Sequence, residues 1–179
     1  MAPAMLATCD RALPADGTAP EWVHLLPEGK ITGRDGRRWD VADPGALVLA
    51  FAANGADLPI DFEHQNDNPE AKARGPIPAA GWIKDVRLKP GGVWGRVEWT
   101  AAAREMIAAK QYRYLSPTFY FEPKTGIVTR LKGAGLVHNP NLHLVALASQ
   151  ETHMDKPPMP PAKGEAGMTA FLQRLAAML

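Results

Sequence analysis

The sequence predicts a mainly β protein with some α (α+β), in which a curled antiparallel sheet or closed barrel of about seven strands carries short helices on its outside. Three observations lead there. Segments rich in β-branched and aromatic residues recur along the body, turn signals separate neighbours, and few stretches carry helix punctuation.

The strand-like segments are 21–26, 58–64, 81–88, 93–99, 112–121, 127–137 and 142–148. Pro90-Gly91-Gly92 and Lys124-Thr125-Gly126 stand between two pairs of them, which suits hairpins. Helices are expected after Asp43-Pro44, where an Ala/Leu/Val-rich run closes at Asn54-Gly55, and over 101–110 behind Thr100. Closing the sheet into a barrel would remove exposed edges.

Composition shifts divide the chain into a leader at 1–20 that is expected to be flexible, a body at 21–148, a Pro-rich linker at 149–167 and an amphipathic helix at 168–179. In the last piece Met168, Phe171, Leu172, Leu175, Ala176 and Leu179 recur at helical spacing. So short a helix is marginal alone, so it docks on the body, frays, or pairs with another chain. The 179 residues, 46% of them hydrophobic, suffice for one packed domain plus a tail. Twenty Lys and Arg against 19 Asp and Glu give a net charge of +1, so bulk charge offers no reason to expect nucleic acid or membrane as partner. The single Cys9 forms no intrachain disulfide, and no secretory signal or apolar span is readable, so a cytosolic protein is expected.

Two polar residues stand inside segments that otherwise read as core strand. His64 closes Leu58-Pro59-Ile60-Asp61-Phe62-Glu63-His64, where a regular strand places Ile60, Phe62 and His64 on one face and Asp61 and Glu63 on the other. Such an imidazole is either a satisfied core histidine or a base facing a cleft. Ser116 lies in Tyr112-Arg113-Tyr114-Leu115-Ser116-Pro117-Thr118-Phe119-Tyr120-Phe121, and Pro117 should hold it at an edge, bulge or rim where its side chain can be reached. A serine before proline is usually only a turn residue. The chain has just two serines, however, and Ser149 falls where the body meets the tail. A serine enzyme would therefore use Ser116, with an imidazole to accept its proton. His24 lies in an early strand, His153 in the tail, and His138 and His143 flank Asn139-Pro140-Asn141, which leaves His64 as the histidine set most deeply in a strand.

Five pieces in order resemble the Mu-like prophage I protein family. They are Leu58-Pro59-Ile60-Asp61-Phe62-Glu63-His64-Gln65, Ala80-Gly81-Trp82-Ile83, Val97-Glu98-Trp99-Thr100, Tyr112-Arg113-Tyr114-Leu115-Ser116-Pro117-Thr118-Phe119, and Gly135-Leu136-Val137-His138-Asn139-Pro140-Asn141-Leu142. The resemblance spans about 21–148. It implies a phage head maturation serine protease, related in layout to other prohead proteases and distantly to herpesvirus assemblins, whose fold is a barrel wrapped by helices. Ser116 then becomes the nucleophile and His64 the general base. The third member is sought among His138, Asp61 and Glu63, or a Ser-His dyad operates, and oxyanion donors are sought at Gly133, Gly135 and Asn139.

The same resemblance implies capsid and scaffold proteins as substrates, this chain itself included, with the enzyme inside the assembling prohead in the bacterial host cytoplasm. Residues 168–179 would open a scaffolding region and could self-associate. No cofactor or metal is implied. Two other classes stand beside this reading. A non-catalytic capsid-assembly module would keep the fold without chemistry, and a metal-dependent hydrolase would gather His64 with Asp61, Glu63 and one of His138 or His143.

Overall fold

Strand patterning, turn chemistry and helix caps act where the sequence places them. The computed structural model describes residues 5–8, 11–12, 18–139 and 141. The expected strand at 142–148, the linker and the helix at 168–179 lie outside the described residues.

The elements run β1 (Met5–Thr8), β2 (Arg11–Ala12), β3 (Trp22–Pro27), β4 (Gly29–Thr32), β5 (Arg38–Val41), α1 (Pro44–Asn54), β6 (Leu58–Phe62), a 3-10 turn (Gln65–Asp67), α2 (Pro69–Arg74), β7 (Gly81–Lys89), β8 (Gly92–Trp99), α3 (Ala101–Ala108), β9 (Tyr114–Phe121) and β10 (Val128–Val137). The helix starts are capped by side chains, because the first N–H groups of a helix have no partner within it. Asp43 Oδ1 accepts from Ala46 N–H at 2.9 Å and Thr100 Oγ1 from Ala103 N–H at 3.3 Å. Gly55 ends α1 with φ 64°, a left-handed conformation that glycine adopts without strain.

The main sheet runs β1-β9-β10-β6-β7-β8-β3, with β2 also on β9, and its six strands from β9 to β3 form a nearly closed, barrel-like wall. Most neighbours are antiparallel, as expected. The exception is β10 against β6, which pair parallel through Ala134↔Ile60, Gly135↔Asp61 and Leu136↔Phe62. That arrangement follows from connectivity, since β7, β8 and β9 intervene in sequence between the two strands and no hairpin joins them. A small β4-β5 hairpin and α2 were not legible as periodic segments; they are four, four and six residues long.

Alternation decides what faces inward. Leu25, Ile60, Ile83, Phe119 and Leu136 are completely buried, and Trp39 from β5 meets Phe119 edge-on at 5.5 Å between centroids. Leu47 of α1 and Ala103 and Ile107 of α3 join the same core. On β9 the inward residues are Leu115, Phe119 and Phe121, which leaves Ser116 and Thr118 on the opposite face of the sheet.

The close parallel pairing depends on Gly133, since a Cβ there would collide with the Pro59 carbonyl oxygen of β6. Gly133→Ala is therefore expected to lose about 1–3 kcal/mol in chemical denaturation, the usual range for forced overpacking. An unchanged midpoint and slope would show that β10 and β6 can separate freely.

Candidate active site

Strand β6 ends at Phe62, and the next two residues leave the strand conformation. Glu63 has φ 54° and His64 φ 53°, consecutive left-handed positions without glycine. Such geometry is uncommon for L-residues and concentrates where the surroundings enforce it. Its effect is to break the alternation expected from a regular strand. Asp61 still points away from Ile60 and Phe62, but His64 swings over to the Asp61 face.

The two side chains meet above Gly135. A Cβ on that glycine would lie 2.9 Å from His64 Nδ1, 3.0 Å from its Cε1 and 3.1 Å from Asp61 Oδ1. Gly135 is the register partner of Asp61 on one side and of Ser116 on the other. Cross-strand partners share a face with their Cβ positions about 4.5–5.5 Å apart, so Ser116 flanks the spot that the imidazole covers. Asp61, Gly135 and Ser116 thus form one row across β6, β10 and β9, and His64 lies over its middle.

Burial sets the electrostatics. Asp61 is 3% exposed and Ser116 1% exposed, while His64 is partly buried. Loss of water raises the Asp61 carboxyl to about 6, against an opposing pull from the backbone N–H groups of Asn66 and His64. Oδ2 accepts from Asn66 N–H at 2.7 Å and so holds the turn after β6, whereas the buried Oδ1 has no hydrogen-bond partner. Burial likewise lowers the His64 pKa, favouring the neutral ring that a general base requires. Its buried Nε2 is also without a partner, so no Ser116–His64 hydrogen bond through that nitrogen is formed.

The other expected residues lie elsewhere. Glu63 and His138 pair with each other at the surface: Glu63 Oε1 accepts from the His138 N–H at 3.1 Å and bonds its Nδ1, while Tyr112 packs on the His138 ring at 4.6 Å. Gly133 and Gly135 lie within β10, between β9 and β6, where strand peptides point along the sheet. Asn139 is exposed in the bend beyond it. His24 is a packed histidine, its Nε2 2.9 Å from the Leu26 carbonyl oxygen and its ring stacked on Trp94. Among the described residues no three His, Cys, Asp or Glu side chains are grouped to hold a metal ion, and His143 lies outside them. No helix among them is long and apolar enough to cross a membrane.

One expectation is corrected. Ser116 was expected at an accessible edge or rim, but it is buried, and β9 is not an edge strand at either end of the site, since β1 and β2 pair with it. A cavity of about 450 Å³ opens beside the row, lined among others by Asp61, His64, Thr118, Lys132 and Asp67. Lys132 and Asp67 form an ion pair across it. Thr118 and this pair were not singled out in the sequence, and the alternation of β9 was the signal that would have placed Thr118 beside Ser116.

The barrel-like domain thus gathers a serine, an imidazole and a buried carboxylate around one glycine. Residues 23–148 match the family described as Mu-like prophage I protein, N-terminal domain, and the chain belongs to that family. It is 34% identical over 136 residues to Protease I of Escherichia phage Mu, an alignment covering 66% of this chain and 37% of that protein. The chain thus corresponds to well under half the length of that curated relative. No solved structure matches it.

Asp61 makes a pH test available. Between its ordinary 3.8 and about 6 the native state holds a proton that the unfolded chain has released, so this group makes stability fall as pH rises through that window. The buried, neutral-favouring His64 acts in the opposite direction below its ordinary 6.5. Comparing Asp61→Asn with wild type isolates the carboxyl. The variant's stability relative to wild type should increase from pH 4 to pH 6 and then level off, measured by urea unfolding; a constant difference would mean that Asp61 titrates normally.

Proposed function

We propose that this chain is a serine endopeptidase domain of phage head maturation, with Ser116 as nucleophile, His64 as general base and Asp61 as the residue that positions His64. The observation that supports it most is the row Asp61–Gly135–Ser116 with the His64 ring over its centre. Ser116 Oγ would attack the scissile carbonyl carbon and pass its proton to His64. The tetrahedral intermediate would then expel the amine, which takes that proton, and water would release the acyl group by the same relay.

Asp61 is favoured over Glu63 and His138 because those two satisfy each other, whereas Asp61 Oδ1 is buried, unpartnered and beside the ring. The name of the phage Mu relative, Protease I, agrees with peptidase chemistry. Substrates would be scaffold and capsid-assembly proteins, including this chain, met inside the prohead in the host cytoplasm. Oxyanion donors are sought between Gly133 and Asn139, and the segment 168–179 would open a scaffolding region that can self-associate.

A non-catalytic assembly module is the second reading, and the burial of Ser116 favours it. Mutants separate the two. Ser116→Ala should abolish cleavage of casein or purified scaffold while changing stability by no more than about 1 kcal/mol, since it deletes one hydroxyl. Asp61→Asn should slow turnover by up to about 10,000-fold, as loss of an orienting carboxylate does. Glu63→Gln and His138→Ala should stay near wild type. Normal cleavage by Ser116→Ala would remove the serine mechanism, and no cleavage by any form would favour the assembly module.

A further inference from the structure

Strand β9 carries Ser116, and one of its two sides is taken by β10 for the whole length of the site. The other side is taken by the chain's own N-terminal segment. β1 pairs antiparallel from Met5↔Phe121 to Thr8↔Thr118, and β2 pairs from Arg11↔Leu115 to Ala12↔Tyr114. Both runs keep the same offset, so the pairing brackets Ser116 and Pro117 from either side without a register slip.

An antiparallel strand laid along the nucleophile's own strand is how an extended peptide can be presented to a serine, because main-chain hydrogen bonds hold it in a fixed register whatever its side chains. Ser116 is at the same time 1% exposed. With β1 and β2 in place, the stretches of β9 on either side of Ser116 are already paired and not open to a second peptide.

We propose that the N-terminal segment over β1 and β2 is a self-blocking strand that occupies the substrate edge of β9 and must be displaced before an extended polypeptide can reach Ser116. The proposal rests on the serine reading given above and adds its regulation. The β1 strand spans four residues and β2 two, and among the described residues each pairs only with β9. Short strands held by one neighbour open at low free-energy cost, so displacement by a competing strand is attainable without unfolding the barrel. The remaining sheet would keep its six barrel strands, with β9 becoming its edge.

The test uses the full chain and two readouts. In the variant Leu6→Pro with Ala7→Pro, two adjacent residues lose their N–H groups, so at least one ladder donor toward β9 is removed whichever way the strand faces. Hydrogen exchange over 114–121 reports whether the edge is covered. Labelling by a fluorophosphonate, in which Ser116 Oγ displaces fluoride from phosphorus, reports whether the hydroxyl is reachable.

The expected result is faster exchange in the variant together with labelling accelerated by about tenfold or more, the factor for a site that is open ~10% of the time or less. A synthetic peptide of residues 1–13 added in excess should slow labelling again. Equal labelling of both proteins with faster exchange would overturn the block, because the strand would then cover the edge without hindering Ser116. Unchanged exchange would overturn it as well, since the pairing would not be what protects β9. Faster exchange with no labelling of either protein would instead overturn the serine reading on which the block depends. Near-UV circular dichroism confirms that the variant keeps its packed core.

Discussion

The absence of one side chain, at Gly135, is the constraint on which the candidate site depends. Its missing Cβ leaves the space that the His64 ring and the Asp61 carboxylate fill, and any other residue there would overlap both at about 3 Å. Because β10 lies between β6 and β9, that space is also where groups from the two outer strands can converge. The parallel pairing of β10 with β6 is what brings Asp61 into line with Ser116, and Gly133 permits the approach by leaving room for the Pro59 carbonyl.

The turn after β6 supplies the second half of the arrangement. Two successive left-handed residues carry conformational strain that a free chain would relieve. Here Asp61 Oδ2 secures the turn through the Asn66 N–H, and the Glu63 N–H reaches the Leu136 carbonyl at 2.9 Å. Asp61 therefore holds the backbone of the turn through Oδ2, while its Oδ1 lies with the His64 ring around Gly135. Burial raises the Asp61 carboxyl pKa to about 6 against the pull of the Asn66 N–H.

Much of the barrel was legible from residues alone. The segments 81–88 and 93–99 and their Pro90-Gly91-Gly92 turn form the β7–β8 hairpin, and Asp43-Pro44 with Asn54-Gly55 bounds α1. Ser116 and His64 could be singled out as candidates because serines are scarce and both fall in strand-like segments of the sequence, although β6 ends at Phe62, before His64. What was hidden is non-local. Strict alternation assigned Asp61 and His64 to opposite faces, and only the backbone angles at Glu63 and His64 reverse that. The parallel β10–β6 register and the pairing of the leader with β9 link residues far apart in sequence, which periodicity does not encode. The short hairpin of β4 and β5 offers too few residues for a pattern.

Gly135→Ala tests the central claim most directly, because the added methyl group takes the space that the His64 ring and the Asp61 carboxylate fill. Measured as kcat/KM for proteolysis in protein whose unfolding transition remains cooperative, the account predicts a loss of about 100-fold or more, the scale of a misplaced general base. Activity equal to wild type would contradict it, since His64 would then have no need of the space that Gly135 leaves.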